Sequence, residues 1–187
     1  VFVRIFKTEA ELEVWVQDND SDRFTRFRTY PICNFSGALG PKLKEGDRQS
    51  PEGIYTVGKE ALNPNSRFHL SFNLGFPNAF DRALGRTGSF LMVHGDCLSI
   101  GCYAMTDPAI EEIYLLVEAA LNGGQDAVPV HAFPFRMSDN AMKAHADHPW
   151  RGFWDQLQPI YKDFEERRQI PRVDVVNGQY VLNAARS

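Results

Sequence analysis

The amino-acid sequence predicts an α+β fold, a mostly antiparallel β-sheet body followed by helices and a closing hairpin. Three patterns carry that prediction. Leu12, Val14 and Val16 alternate with Glu11, Glu13 and Trp15, the period of two expected of a strand with one buried face. Ile110, Ile113, Tyr114, Val117 and Leu121 recur at helical spacing instead. Asn177-Gly178 stands between two apolar runs, a strong signal for a type I′ hairpin turn.

Taken in order, Phe2 to Lys7 is the first predicted strand, with a polar turn around Thr8–Ala10. The acidic run Asp18 to Asp22 reads as a hairpin tip, because it lacks the glycine and terminal glutamate of an EF-hand loop. Phe24, Phe27 and Tyr30 continue β structure up to Pro31. Residues 36–53 form a loop dense in glycine, proline and charge, and Ile54 to Val57 is a strand. Asn63-Pro64-Asn65 is predicted as a turn and Phe68 to Leu74 as a strand. A second loop, 75–88, carries Asp81, Arg82 and Arg86, and the two loops are placed to wall a cleft. The short apolar run Phe90 to Val93 suits a buried strand.

The amphipathic helix follows, with Asp107 as its cap, Pro108 in its first turn and Gly123-Gly124 at its end. Val128 to Met137 is expected to be an edge or bent strand, since Pro129 and Pro134 interrupt it. Ser138 is placed to cap a short helix around Asn140–His145. Trp150 to Arg168 is a second long helix that Pro159 should kink or break. Val173 to Leu182 is the closing hairpin. With no internal repeat or low-complexity linker, residues 1–187 are expected to form one domain.

Composition narrows the function. Apolar content of 43% and charged content of 24% describe an ordinary globular protein. A formal net charge of −4 without any basic run argues against nucleic acid as a partner. No apolar stretch approaches the roughly 18–20 residues that span a bilayer. The chain starts at Val1 and is expected to be a mature or trimmed form from which a signal peptide has been removed. Of the three cysteines, Cys33 and Cys97 are read as plain buried thiols, with a disulfide between them as the alternative.

The chemistry gathers in Phe90 to Met105, F-L-M-V-H-G-D-C-L-S-I-G-C-Y-A-M. A strand ending in His94-Gly95 and a loop ending in Gly101-Cys102 can bring an imidazole beside a thiol. Such a pair makes a sulfur nucleophile, since the histidine takes the proton and the imidazolium stabilises the anion. Gly101 permits a tight turn and leaves amide N–H groups free to face an oxyanion. Cys102 is therefore assigned as nucleophile and His94 as its general base.

His94-Gly95 followed by Ser99-Ile100-Gly101-Cys102 resembles the catalytic signature of the YkuD-type L,D-transpeptidase family. There a His-Gly precedes a Ser/Thr-His-Gly-Cys with an arginine soon after. This chain has Ile100 at the second histidine, no arginine in Tyr103-Ala104-Met105 and a short gap from His94 to Cys102. Those departures, with G-C-Y-A-M-T-D and the loops 40–55 and 75–88, resemble the YafK-like subgroup, and the resemblance covers residues 2–175.

The resemblance implies a YkuD-like sheet body and an exported, periplasmic enzyme of a Gram-negative envelope, monomeric and without metal or organic cofactor. Its partners would be peptidoglycan stem peptides and a wall-linked lipoprotein. A Cys102 thioester would form at the L-centre of diaminopimelate and pass to an amine, or to water in a hydrolase. Ser99 matches the Ser/Thr position and is expected to steady the loop or orient His94. Tyr103 would line the pocket or pack. Arg82 and Arg86 are candidates for binding a substrate carboxylate in place of the missing arginine. Two other classes remain open: a wall-binding module without turnover, and a zinc site from His94, Cys97, Cys102 and His131. Otherwise His131 is a strand histidine, and His145 and His148 are solvated helix residues.

Overall fold

The computed structural model describes residues 1–18 and 20–183, so Asn19 of the predicted hairpin tip lies outside the described residues. The strands begin with β1 (Phe2–Phe6), β2 (Glu11–Gln17), β3 (Phe24–Pro31), β4 (Gly53–Val57), β5 (Leu62–Ser66) and β6 (His69–Asn73). They continue with β7 (Met92–His94), β8 (Tyr103–Ala104), β9 (Val128–Phe133), β10 (Val173–Val176) and β11 (Gln179–Leu182). The helices are α1 (Ala79–Ala83), α2 (Asp107–Asn122), α3 (Asp139–Ala144) and α4 (Arg151–Arg167). This is the predicted α+β class. None of these helices is long and apolar enough to cross a membrane.

One sheet has the order β3-β2-β1-β9-β4 and a second the order β5-β6-β7-β8; β10 and β11 form a separate hairpin. All neighbouring pairs are antiparallel except β1 with β9 and β7 with β8. Val3, Ile5, Val93, Tyr103, Ile113 and Val117 belong to one continuous core that joins both sheets to α2. Each such fully buried side chain contributes about 1.5–3 kcal/mol against its exposed state. That core is what holds β7 and β8 in place.

Several elements differ from the sequence expectation, each for a packing reason. β2 is buried on both faces, with Glu13 at 0% exposure, because Phe164 of α4 lies edge-on against Trp15 and covers its second face. Asn63–Asn65 belongs to β5, where the register shifts between Asn63 and Ser66, and is not a free turn. The loop 75–88 contains α1, closed by a reciprocal pair: Asn78 accepts from the Asp81 amide, and the Asp81 carboxylate accepts from the Asn78 amide. β9 is no edge strand, since it pairs with β1 and β4 together. Pro129 is tolerated because the ladder to β1 begins only at Val130. α4 continues through Pro159 without a break, its apolar stripe Phe153, Trp154, Leu157, Ile160 and Phe164 fully committed to the core. Thr106 rather than Asp107 is the cap of α2, a shift of one residue.

Candidate active site

β7 and β8 lie in parallel register, with Val93 opposite Tyr103 and His94 opposite Ala104. Side chains alternate along a strand. Val93 and Tyr103 therefore point into the core, where both are fully buried. His94 thus projects from the other face of β7, and Cys102 is the residue immediately before β8. The Cys102 Sγ accepts from the Met92 amide at 3.4 Å, and its thiol proton is directed at the Phe90 carbonyl at 3.5 Å. It is a free, half-buried thiol.

His94 is 2% exposed, with its ring 4.7 Å from that of Phe68. Its Nδ1 lies 2.6 Å from the Gly95 carbonyl. A carbonyl only accepts, so in the neutral ring Nδ1 carries the proton and Nε2 keeps the lone pair. Burial holds the His94 imidazole below its ordinary pKa, against the opposing pull of the Gly95 carbonyl and Asp96. Burial also pushes the Cys102 thiol up, against the Met92 amide and the charge of Lys42. The resting pair is thus a neutral thiol and a neutral imidazole, not a preformed thiolate and imidazolium.

The loop between them is held at both ends. Asp96 and Cys97 have positive φ, 67° and 51°, and their amides donate to Asp107 Oδ1 at 2.9 Å and the Met105 carbonyl at 3.3 Å. A Cβ on Gly95 would stand 2.5 Å from that same Asp107 oxygen, so the His-Gly glycine is a packing requirement. Cys97 forms a disulfide with Cys33. This corrects the expectation of two buried thiols: Cys33 is exposed, on a segment that hydrogen-bonds Ala104 and so passes alongside the loop. The disulfide also removes Cys97 from the zinc set, and His131, fully buried in β9, lies against Phe2.

Ser99 sits inside this loop. Its Oγ donates to the Cys102 carbonyl at 2.7 Å and accepts from the Gly101 amide at 3.2 Å. Ser50 Oγ donates to the same Cys102 carbonyl at 3.2 Å, and Ser36 Oγ lies 3.3 Å from Ser99 Oγ. Three hydroxyl groups thus fix the backbone on which the sulfur rides. The Gly101 N–H is spent on Ser99, which corrects its expected freedom to face an oxyanion. Tyr103 does not line the pocket: it is 0% exposed and donates to the Pro51 carbonyl at 2.6 Å.

The two arginines are not brought to the sulfur. Arg86 is buried in an ion pair with Asp81 at 2.8 Å, its guanidinium over the Phe80 and Phe153 rings. No face of it is left for a substrate. Arg82 is exposed and donates to the Pro77 carbonyl. The cation that does act on Cys102 is Lys42, anchored by Asp47 and by the Lys44 carbonyl at 3.0 Å. Ser36, Ser50 and Lys42 come from a loop without periodicity, and only the family-like run 40–55 pointed towards two of them. His145 and His148 are half-buried rather than solvated, each packed against Trp154.

Phe90 at 72%, Leu98 at 64% and Ile100 at 81% exposure leave an apolar rim on the segments that carry the pair. A separate concavity of about 550 Å³ lies elsewhere, among Glu13, Trp15, Arg26, Arg136 and Arg168, and contains none of these groups. Its charges are largely matched in ion pairs.

Comparison with known proteins gives concordant results. Residues 2–131 match the family model of the YkuD L,D-transpeptidase catalytic domain. Over 183 residues, the chain is 48% identical to YafK of Escherichia coli strain K12, itself named as a candidate L,D-transpeptidase, covering 98% of this chain and 74% of that protein. The YafK protein of E. coli O157:H7 matches to the same extent. Among solved structures, the helical cell shape determining protein Pgp2 of Campylobacter jejuni superposes with a TM-score of 0.59 at 19% identity, covering 94% of this chain and 72% of that one. That likeness shows the fold.

Proposed function

The chain belongs to the L,D-transpeptidase catalytic domain family, and from that premise we propose that it is an exported, periplasmic enzyme acting on peptidoglycan stem peptides through Cys102. The observation that carries the proposal is that β7, ending in His94, pairs in parallel with β8, which begins one residue after Cys102; the contact of His94 Nδ1 with the Gly95 carbonyl supports Nε2 as the base. We take residues 1–187 as one catalytic domain, acting as a monomer without metal or organic cofactor.

His94 Nε2 removes the thiol proton as Sγ attacks the carbonyl on the L-centre of diaminopimelate. The Sγ–C bond forms and the carbonyl oxygen becomes an oxyanion. With Gly101 engaged by Ser99, we assign the oxyanion to the N–H of Cys102 itself, whose carbonyl Ser99 and Ser50 hold. When the tetrahedral intermediate collapses, the C–N bond breaks and the amine leaves with the proton carried by His94. An incoming amine then gives its proton to His94, attacks the thioester and expels Cys102, which recovers the proton. The Gly95 carbonyl orients the imidazole throughout, the part a carboxylate plays in a serine triad.

A second reading keeps every residue and replaces the amine by water. Ile100, an exposed apolar side chain where the signature has a histidine, supports it, because the loop offers no second imidazole to an acceptor. In that case the protein trims stems or releases a lysine-linked lipoprotein from the wall. Mass spectrometry of tetrapeptide stems, cross-linked dimers and a lysine-linked stem peptide, with Cys102→Ala as control, separates the two. New dimers or exchange of the terminal D-amino acid mark a transpeptidase, and release without new bonds marks a hydrolase. No Cys102-dependent product would leave a wall-binding module.

A further inference from the structure

The segment that holds the Cys102 sulfur has a second side. Phe90 and Met92, whose carbonyl and amide contact Sγ at 3.5 and 3.4 Å, also line a cleft of about 510 Å³. Glu60 and Ala61, in the short 3-10 turn Lys59–Ala61, and Leu62 at the start of β5 line the same cleft. Thr56, Asn63, Asn73 and Gly75 complete the lining.

The chemistry of this lining is uneven. Leu62, Met92 and Phe90 are apolar, the polar members are neutral, and Glu60 is the one ionisable group. Its carboxylate folds back over Gly58, where a Cβ would stand 2.5 Å from Oε1 and 2.6 Å from Oε2. Any side chain at position 58 would displace it. A lining that joins apolar side chains to one carboxylate, with no cation, matches an alkyl chain that ends in an ammonium group, as a lysine stem lies along apolar surface with its head on an acid.

We propose that this cleft is the subsite for an aliphatic ammonium arm of the substrate, with Glu60 pairing to the ammonium and Leu62, Met92 and Phe90 packing along its methylenes. The cationic preference rests on the lining alone; that the arm belongs to a wall peptide rests on the acyl-transfer reading. Two arms qualify chemically: the free side-chain amine of the donor diaminopimelate, and the amine that leaves or accepts the acyl group. Glu60 is exposed, so its pairing is expected to change rates or affinities by about two- to fivefold, the range of a solvated ion pair.

The test needs no known substrate for its first half. Cys102 is the free thiol of the described residues, so the full chain is treated with methanethiosulfonates carrying an aminoethyl, a sulfonatoethyl or a methyl group. Glu60→Gln is expected to lower the aminoethyl-to-sulfonatoethyl rate ratio two- to fivefold and Glu60→Lys to lower it further, with the methyl rate unmoved. Lys42 acts on the sulfur equally in all three proteins. An unchanged ratio in both variants overturns the proposal.

In the second half, KM is measured on stems whose side-chain amine is free or acetylated, and on an amine acceptor or a lysine-linked stem. A KM that rises in Glu60→Gln for the free donor but not for the acetylated one assigns the donor arm. A rise confined to the acceptor or lysine-linked stem assigns the other. If the probe ratio falls and neither KM moves, the cleft takes cations but not this substrate, which overturns the assignment. If no stem is turned over while the ratio falls, the acyl-transfer reading fails and the cationic cleft stands.

Discussion

At Cys102 and His94, burial acts on the two groups in opposite directions. The thiol is held up and the imidazole held down, so proton transfer belongs to the moment of attack rather than to the resting enzyme. Iodoacetamide alkylation of Cys102 followed against pH is expected to show a midpoint above the ordinary thiol value and no thiolate near pH 5. A reactive thiolate at acid pH would contradict the neutral pair. His94 is already a free base at neutral pH and the thiol still holds its proton, so kcat/KM should be level from neutral pH up to the raised thiol pKa. Cys102→Ala should abolish turnover with the far-UV spectrum unchanged, and His94→Ala should lower it about 10²- to 10⁴-fold. These two residues stood out in the sequence because a His-Gly lies just upstream of a Gly-Cys in a stretch that resembles the family signature. Tyr103 and Gly101 were not, because their fate depends on partners 52 and 2 residues away, Pro51 and Ser99. Arg86 was misplaced for a related reason: the sequence displays its charge and that of Asp81, but not that α1 folds the two into a buried pair.

Among the elements, the loop 95–101 has a geometry that depends on a distant partner. Cys33 and Cys97 are 64 residues apart, so their bond closes a long loop of the unfolded chain. Cross-links of that span contribute about 2–4 kcal/mol. The bond also joins the loop to the segment that pairs with Ala104, and positive φ at Asp96 and Cys97 shows a backbone held where non-glycine residues seldom sit. Cys97→Ala is expected to lower stability by about 2–4 kcal/mol in urea titrations and to reduce kcat, while Cys102 remains alkylatable. Full activity in Cys97→Ala would show that the loop keeps its shape without the tether. Local patterns found the elements that local forces decide: the strands β1 to β4, the amphipathic α2, and the β10–β11 hairpin at Asn177-Gly178. They missed those set by tertiary context. β9 is placed centrally despite Pro129, α4 passes Pro159 under the weight of its apolar stripe, and α1 forms through a cap too short to show periodicity.

On the scale of the whole molecule, both sheet faces near the amino terminus are closed, and charged groups are buried with them. Arg4, at 0% exposure, stands beside Glu13 and Glu165 and over the rings of Phe6, Tyr161 and Phe164. His131 is in register with Arg4 on the neighbouring strand and packs edge-on against Phe2 at 4.7 Å. Burial, reinforced by the Arg4 charge, lowers the pKa of His131 from 6.5 to about 3. Folded, this histidine stays neutral through the range in which the unfolded chain protonates it. The unfolded state therefore binds more protons between about pH 6.5 and 3, and stability must fall as pH falls across that window. A fully suppressed histidine costs about 1.4 kcal/mol per pH unit there. The lowered carboxyl groups, Glu165 and Asp47, act in the same direction around and below their ordinary values near 4.5 and 3.8, while the Asp81 carboxyl, raised by burial, opposes them, so it is the comparison with a variant lacking the imidazole that isolates His131. His94, also lowered by burial, adds to the slope. Urea denaturation from pH 7 to 4.5 should give a midpoint that declines steadily in the wild type and declines less in His131→Phe, whose ring suits the same aromatic layer. Equal slopes in the two proteins would mean that His131 is hydrated and charged in the fold. The five-stranded sheet would then be looser around β1 and β9 than the packing of Phe2, Phe24 and Phe164 implies.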